Sequence, residues 1–458
     1  MRRFALLVAA FLSTASATKH FRSDRDPYHT RHVESEAAKA NLDPYQNTEA
    51  FSESPKMKEM MNLMELHYSM YLKPSLKFKS IKGGMHTCIF GKAAEYPCNN
   101  VDLMSFLTHE DMGSKAKAGN DIWGWEDPET GNEYALVGQN DGTAFVDVTD
   151  PENPIYKGRL PTHSMNSIWR DIKVYKDHAF IVSEAFRHGV QVFDLTQLRE
   201  DTKGKVFQES AYFKDTGRCH NIVINEDTGF AYCVGSRDTC NAGLFMIDIS
   251  DPKNPKRAGC FREDGYVHDA QCVVYNGPDD KYVGREVCFC YNEDTLTIVD
   301  VENKEAPKIL SRVGYPTAEY THQGWLTEDQ SYLLLDDELD EQRVSKLKGR
   351  TTTYLWDVRS LENPVYFANH TSPTTSIDHN LYILGDYAYM TNYASGLRIV
   401  DVSQVKDGKT EEWGYFDVRP EDDKVIFQGS WSSYPYFKSG NVIVNSIERG
   451  LFVVRPRF

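Results

Sequence analysis

The amino-acid sequence predicts an all-β protein, a single seven-bladed β-propeller preceded by a short helical and irregular N-terminal extension. Two observations predict this fold. An apolar strand ending in a hydrophobic–Asp pair recurs along the chain, and successive Asp positions are separated by roughly 45 to 57 residues, the period of propeller blades. The copies occupy residues 145–148, 192–195, 246–249, 298–301, 355–358 and 399–402, and a seventh, at 451–454, has Arg455 in the Asp position.

Each repeat predicts four short strands punctuated by Gly, Asn and Asp. One such sheet cannot bury both of its faces, but seven sheets stacked radially can, and ring closure limits exposed edges. A two-sheet sandwich is the alternative, but seven like units fit a ring better. The last unit supplies only residues 441–445 and 451–454, and the first begins at 121–125. We therefore expect strands from both chain ends to complete one blade.

The first 17 residues have the pattern of a secretory signal peptide. Arg2 and Arg3 precede an apolar run at residues 4–12, and residues 15–17 fit a small-residue cleavage site. The run is shorter than the ~20 residues that span a bilayer, so cleavage is favoured over an N-terminal anchor. No later segment has the length and apolarity of a spanning helix. The sequence therefore predicts a secreted protein, extracellular or at the cell surface.

Residues 18–119 form the predicted N-terminal extension and residues 120–458 the predicted propeller. Ser54 and Pro55 resemble the N-cap and N1 positions of a helix over residues 54–72. A stripe at helical spacing consists of Met57, Met60, Met61, Met64, Tyr68 and Tyr71. This stripe predicts a helix packed on the propeller, with an exposed methionine-rich partner surface as the alternative.

The composition narrows the possible functions. Hydrophobic residues make up 40% and charged residues 26% of the chain, which excludes wholesale disorder. Lys and Arg number 51 against 67 Asp and Glu, so the formal charge is −16, and loss of Arg2 and Arg3 with the signal peptide makes it −18. Because such a surface repels phosphate, the net charge disfavours both a general nucleic-acid role and binding to anionic membranes.

Export allows the nine cysteines to form disulfides. The three expected bridges are Cys88–Cys98 in a loop before the repeats, Cys240–Cys260 beside a strand pair, and Cys272–Cys288 on the two arms of a hairpin. Three cysteines remain, so at least one thiol is unpaired or pairs between chains; these are Cys219, Cys233 and Cys290. Asn369 begins a glycosylation sequon in a predicted loop.

Aligning the repeats brings a polar pattern into register. The opening strand of a unit begins with a basic or polar residue, then a carboxylate or amide, then an apolar run, as in His268-Asp269-Ala270. The opening strand of a propeller blade is innermost, so these residues are expected at one mouth of the central channel. The candidate ligand or metal-binding residues at this mouth are Asp121, Arg170, Asp171, His220, His268, Asp269, His322, Asp378 and His379.

Three interpretations of this pattern remain open. The first is a hydrogen-bonding belt that links neighbouring blades. The second is a site for zinc, copper or iron, although no two of the histidines have a local chelating spacing. The third is a small-ligand or catalytic pocket in which histidine and carboxylate transfer protons. No nucleophile elbow, zinc-protease, P-loop or dinucleotide motif is present in the sequence.

An acidic segment follows the apolar run at residues 332–335. It packs five carboxylates into six residues: Asp336, Asp337, Glu338, Asp340 and Glu341. Oxygen-rich loops of exported proteins suit calcium, although the EF-hand spacing is missing. A solvated run of charge is the favoured alternative.

The assembled motifs resemble the secreted choice-of-anchor B family, built from LVIVD-type propeller repeats. The similarity runs from about Cys88 to the C-terminus, and its most specific stretches are 96–103, 120–125, 169–174, 268–272, 321–325, 337–341 and 378–381. The resemblance implies an exported propeller whose family members differ in how they attach to the cell surface. No reaction is established for the family, so it assigns no catalytic residue here.

Two functions from different classes follow from the sequence. The favoured one is a disulfide-stabilised binding or scaffold protein that presents a channel mouth and loops to an extracellular glycan, protein or small molecule. The alternative is a metal-dependent hydrolase or lyase that uses the histidines at the channel mouth. The sequence gives stronger grounds for a binding protein than for an enzyme, and it predicts neither a nucleic-acid partner nor a transmembrane anchor.

Overall fold

The computed structural model describes residues 54–71 and 77–458. The predicted signal peptide and the extension up to residue 53 lie outside the described residues. The segment before the repeats forms one helix and three strands: α1 (Pro55–Tyr71), β1 (Lys92–Ala93), β2 (Tyr96–Asn99) and β3 (Val101–Thr108).

The repeats form seven sheets, numbered here as blades 1 to 7, and each repeat begins with the innermost strand of its blade. Blades 1 and 2 contain β4 (Gly119–Glu126), β5 (Glu133–Gln139), β6 (Gly142–Asp147), β7 (Ile155–Pro161), β8 (Arg170–Tyr175), β9 (His178–Ser183), β10 (Val190–Asp194), β11 (Lys205–Val206, parallel to β7) and β12 (Ala211–Phe213). Blades 3 and 4 contain β13 (Asn221–Asn225), β14 (Phe230–Val234), β15 (Leu244–Asp248), β16 (Lys256–Phe261), β17 (Asp269–Val274), β18 (Glu286–Asn292), β19 (Thr295–Asp300) and β20 (Lys308–Gly314).

The remaining blades follow the same order. Blades 5 to 7 contain β21 (Thr321–Leu326), β22 (Tyr332–Asp337), the short helix α2 (Asp340–Arg343), β23 (Arg350–Asp357), β24 (Val365–Thr375), β25 (Asn380–Leu384), β26 (Tyr387–Asn392), β27 (Gly396–Asp401), β28 (Glu411–Phe416), β29 (Ser430–Tyr434), β30 (Val442–Ser446) and β31 (Gly450–Pro456). Each innermost strand contacts the next, and β29 contacts β4, so the ring is closed. The predicted seven-bladed all-β propeller is confirmed.

The repeated Asp shapes the turn after the third strand of a blade. Asp147 accepts a hydrogen bond from the backbone N–H of Thr149 at 3.0 Å. Asp248 accepts the equivalent bond two residues further along at 2.9 Å, and so does Asp401. A carboxylate that bonds the amide two residues on reverses the chain without help from another strand. This local bond explains why the sequence repeats a hydrophobic–Asp pair at the end of the strand.

The two ends of the propeller close the ring in blade 7, as predicted. Its three inner strands come from the C-terminal end of the chain, and its outermost strand is β3. The register pairs Phe106 with Phe452, whose rings stack with centroids 4.4 Å apart. The preceding strand, β2, extends blade 6 by pairing Cys98 with Phe416. Both strands precede residue 120, so the chain segment before the repeats contributes to two neighbouring blades.

The three predicted disulfides are confirmed, and a fourth is added. Cys88–Cys98, Cys240–Cys260 and Cys272–Cys288 are bonded. Cys219, just before β13, is bonded to Cys233 on β14, with 5.8 Å between their Cα atoms. Pairing these two requires the register of β13 against β14, which the sequence spacing did not supply. Cys290 is free and buried.

The predicted loop around Asn369 is wrong. This asparagine lies in β24, the outermost strand of blade 5. The outer edge of a blade has no neighbouring sheet, and the Asn369 side chain is exposed there. The position is accessible to a glycan, and glycosylation itself stays a prediction.

Replacing Phe106 with alanine should destabilise the ring. The side chain is only 1% exposed and packs across the closing strand pair, so its loss leaves a cavity that costs about 3–5 kcal/mol of unfolding free energy. Chemical denaturation of the variant and wild type measures this difference. Phe90→Ala is the matched control, because Phe90 is fully exposed. Equal stabilities of Phe106→Ala and the control would contradict the closure.

Replacing Asp417 with asparagine should stabilise the protein at high pH. Burial at the end of β28 raises the pKa of Asp417 to about 7 from the usual 3.8. The native state therefore holds this proton more tightly than the unfolded state, and that stabilisation is lost as pH rises from about 4 to 7, by about 1.4 kcal/mol per pKa unit. Melting temperatures from pH 4 to 8 should shift in favour of Asp417→Asn. A constant difference across that range would refute the raised pKa.

Candidate functional site

The innermost strands all run in the same direction along the channel, so its two ends differ. At the end where these strands begin, a small cavity is lined by the histidines of blades 3 to 6 and by side chains of α1. We call this end the helix-covered mouth. At the end where the strands finish, a larger cavity is lined by aromatic and polar side chains. We call this end the open mouth.

Helix α1 lies against the helix-covered mouth. Ser54 accepts a hydrogen bond from the Met57 amide at 3.0 Å, and Glu293 of blade 4 accepts from the same amide at 3.2 Å. Near the other end of the helix, His67 accepts from the Phe427 amide at 3.1 Å. The predicted stripe packs on the propeller: Met57, Met60, Met64 and Tyr68 are buried and Met61 is half-buried. For these side chains, the predicted helix packed on the propeller is confirmed. The alternative, an exposed partner surface, is not.

Four of the predicted site residues form one continuous group, which we call the histidine arc: His220, His268, His322 and His379. They stand at the start of the innermost strands of blades 3 to 6, and successive ring centroids are 4.3, 4.1 and 4.4 Å apart. Burial lowers the pKa of His379 to about 3 and holds the pKa values of His268 and His322 well below 6.5. These three imidazoles are therefore neutral.

The residue after three of the four histidines links its blade to a neighbour, whereas Asp269 accepts from Ala270 of its own strand. Asn221 donates to the carbonyl of His268 at 3.2 Å, and Gln323 both accepts from and donates to the backbone of Leu381 at 3.0 Å. On the other side of the ring, Asp121 accepts from Ile172 and Asp171 accepts from Ile222. The second position of the repeated pattern therefore has the role that the belt interpretation gives it.

Three predicted candidates lie away from the histidine arc or on its margin. Arg170 donates to Thr162 at 2.8 Å and lies 3.3 Å from His188, so its contacts are within blades 1 and 2. Asp269 lies in the channel nearer the open mouth, and burial together with the Asp171 carboxylate raises its pKa to about 7. Asp378 is buried with neither carboxyl oxygen hydrogen-bonded to a described residue.

The interpretation of the acidic segment as solvated charge is wrong. All five carboxylate residues between Asp336 and Glu341 are at most 5% exposed. They are held by specific donors: Tyr315 donates to Asp337 at 2.6 Å and Tyr354 donates to Asp340 at 2.5 Å. Burial raises the pKa of each carboxyl. The sequence shows the high density of charge in this segment. It does not show that α2 and the end of β22 are buried.

The geometry of the described residues does not support the calcium site that we expected in the acidic segment. Within the described residues, one group of three His, Cys, Asp or Glu side chains has ligand atoms that all lie within 4.8 Å of one another, and it consists of His268, His322 and Glu338. The acidic segment thus contributes a single carboxylate to a converging group, and that carboxylate faces imidazoles. Calcium at the other four carboxylates stays a prediction.

Sequence reasoning missed Glu184 at the helix-covered mouth, and it assigned Glu338 to a calcium site and not to the histidines. Glu184 lies 2.5 Å from the Nδ1 atom of His220, and Glu338 lies 3.5 Å from the Nε2 atom of His322. Burial opposes ionisation of Glu184, but the His220 contact and the Arg237 charge prevail and lower its pKa. A signal was available: Glu184, Glu293 and Glu338 each come directly after the second strand of a blade, which runs back to this mouth.

The open mouth encloses a cavity of about 590 Å³. Its aromatic lining consists of Trp123, Trp325, Tyr382, Tyr434 and Tyr436. These rings contact one another edge to face, with Trp325 and Tyr382 centroids 5.0 Å apart and Trp123 and Tyr434 centroids 5.1 Å apart. Four of the five are half-buried, so part of each presents a face to the cavity.

Charged groups lie among these rings. The Lys173 ammonium lies 4.6 Å from the centre of the Trp123 ring and 2.7 Å from Asp171. Burial opposes its charge, but Asp121 and Asp171 prevail and raise the pKa of Lys173. Asp269, Glu226, Asp227 and Glu328 also line the cavity.

Fold and site together define a seven-bladed propeller with two chemically different mouths. Residues 217–261 and 379–405 match the LVIVD repeat family model, so the chain contains LVIVD repeats. No curated protein matches the chain.

Two solved structures show similar folds at 12% sequence identity. One is a Kuenenia stuttgartiensis hydrazine synthase chain, with a TM-score of 0.53, covering 75% of this chain and 97% of the other. The other is the β-propeller domain of Cps50 (Swd1) from Myceliophteria thermophila, with a TM-score of 0.46, covering 70% and 93%. At this identity the likeness concerns the fold alone. Among the described helices, none combines the length and apolarity needed to cross a membrane.

Proposed function

We propose that this protein is an exported binding protein that takes a neutral, polyhydroxylated ligand of the carbohydrate class in the cavity at the open mouth. The observation that carries the proposal is the group of five aromatic side chains around a cavity of about 590 Å³. Binding cavities for small ligands have this volume and this mixture of aromatic walls with a few polar groups. Four disulfides and the signal-like N-terminus support folding in an oxidising, exported compartment.

The charges around the cavity favour an uncharged ligand. Four carboxylate residues and one lysine line it, so its potential disfavours anions. Carboxylates and amides accept and donate hydrogen bonds to hydroxyl groups, and the flat rings offer apolar faces to the C–H side of a sugar ring. A ligand rich in hydroxyls with one apolar face matches both properties.

The other mouth does not support the hydrolase or lyase alternative. The cavity between α1 and the histidine arc measures about 20 Å³. A space of roughly this size holds one water molecule or ion and no organic substrate. With α1 in place, substrate chemistry has no room at the histidines.

Replacing Trp325 with alanine should abolish most ligand binding. The wild-type protein is screened on an array of neutral oligosaccharides. The affinity of the wild type and of Trp325→Ala for the strongest hit is then measured by calorimetry. Loss of a central aromatic contact costs about 2 kcal/mol, or roughly 30-fold in affinity.

The matched control is Trp413→Ala. Trp413 lies in the outer strand β28 and stacks on Phe458, away from the open-mouth cavity. This variant should keep wild-type affinity. An array without any hit, or equal affinity of Trp325→Ala and the control, would reject the proposal.

A further inference from the structure

Each imidazole of the histidine arc has an oxygen atom as the hydrogen-bond partner of one of its ring nitrogens. A neutral imidazole carries one N–H and one bare nitrogen, and its hydrogen-bond partners decide which nitrogen is which. In this arc the Nδ1 atoms all face oxygen atoms. Their partners are the Glu184 carboxylate for His220, the His322 carbonyl for His268, the His379 carbonyl and Asp336 for His322, and the Trp431 carbonyl for His379.

These partners fix the tautomer of every ring in the arc. A carbonyl oxygen or an ionised carboxylate only accepts, so each Nδ1 atom must carry the proton. In the neutral rings of His268, His322 and His379, the Nε2 atoms are then bare. Holding Nδ1–H on a carbonyl or carboxylate is how proteins orient metal-binding histidines.

The bare nitrogens converge. The Nε2 atoms of His220 and His268 lie 2.8 Å apart, so a proton or another cation must lie between them. The Nε2 atom of His322 lies 3.5 Å from a carboxylate oxygen of Glu338. This separation equals that of neighbouring ligands around a tetrahedral ion with bonds of about 2.1 Å, which place ligand atoms about 3.4 Å apart. Ligand atoms of His268, His322 and Glu338 all lie within 4.8 Å of one another.

The third group is the buried carboxyl of Glu338, which among the described residues has histidines within ion-pair distance. Glu338 is 2% exposed, and its partners at that distance are His322 and His379. Tyr393 donates to its second oxygen at 2.5 Å and so orients the carboxylate.

The surroundings suit a single ion. The cavity of about 20 Å³ is lined by the arc, Glu338 and four methionines of α1: Met57, Met60, Met61 and Met64. Imidazole suits zinc, copper, iron and nickel, and thioether sulfur is a soft group compatible with copper. The apolar methionine side chains exclude water and so strengthen the binding of an ion in this cavity.

We propose that His268, His322 and the carboxylate of Glu338 bind one late first-row transition-metal ion, copper or zinc, beneath the methionine face of α1. Tyr393 holds Glu338, and Glu184 holds His220, whose ring contacts His268, so Tyr393 and Glu184 act as positioning residues. The site lies at the mouth opposite the proposed ligand cavity, so it extends the proposed function without resting on it. The competing arrangement is a proton shared by His220 and His268, which needs no metal.

Metal content of the full-length protein tests the site. The protein is purified without a polyhistidine tag and its copper and zinc are measured by mass spectrometry. The protein stripped by a chelator is then titrated with Zn²⁺ and, for a spectroscopic signature of nitrogen coordination, with Co²⁺. We expect about one ion per chain and ligand-field bands from Co²⁺. Wild-type protein that contains no stoichiometric metal and takes up neither ion would overturn the proposal, whatever the variants do.

Three variants locate the ion. His268→Gln and Glu338→Gln should lower Zn²⁺ affinity by more than about 100-fold, the upper range for changes in outer groups, and Glu184→Gln by about 10–100-fold with stoichiometry kept. The matched control is His163→Gln, because His163 is exposed and also places Nδ1 at 3.0 Å from a glutamate, Glu209. Circular dichroism confirms that each metal-free variant is folded. Wild-type affinity in folded His268→Gln would overturn the assignment.

Discussion

The pairing of β3 with β31 holds the two ends of the propeller together, and the other features of the molecule depend on it. A radial stack of sheets has two open faces until its first and last blades meet. Here residues 101–108 supply the outer strand of the last blade, and the stacked rings of Phe106 and Phe452 pack across this strand pair. The closed ring fixes the distance of every innermost strand from the axis. Side chains from distant parts of the sequence can therefore meet in the channel.

Closure also explains why the repeated polar pattern has two parts. The second residue of the pattern bonds the backbone of a neighbouring blade, as Asn221 and Gln323 do. The first residue is histidine in four consecutive blades, and in His268, His322 and His379 the Nδ1 atom bonds a backbone carbonyl of a neighbouring blade. The Nε2 atom is left for a second contact, as in the 3.5 Å approach of His322 to Glu338. A belt alone needs one polar atom per blade, and the histidine arc supplies a second.

The two mouths of the channel differ in the size and in the lining of their cavities. At one mouth, an apolar helix covers polar groups and leaves space for little more than an ion. At the other, half-buried aromatic rings surround a cavity large enough for a small organic ligand. Since the same seven strands form both ends, each end can change its residues without altering the ring. This separation is why two different chemistries fit one propeller.

Much of the fold could be predicted from the sequence because its signals are local. The hydrophobic–Asp pair encodes a turn two residues long, and Ser54 and Pro55 encode the start of a helix. Three of the four disulfides followed from one short loop and two strand pairs that are close in sequence. The fourth, Cys219–Cys233, depends on strand register, and the burial of Asp337 and Asp340 depends on tyrosines contributed by other strands. No local pattern reports such partners.

The sequence by itself determined the seven blades, the direction of their strands and the end of the channel at which the histidines stand. The hydrophobic periodicity and the turn-forming residues act within one repeat, so they can be recognised in the sequence without a structure. Only the tertiary structure decided that Glu184 and Glu338 face those histidines, that α1 covers them, and that Trp123, Trp325 and Tyr434 share one cavity. Trp123, Trp325 and Tyr434 come from blades that lie far apart in the chain, and the closed ring brings them into one cavity. Glu184 and Glu338 reach the histidines from the same or the neighbouring blade, because the second strand of a blade runs back to the mouth where the first one starts.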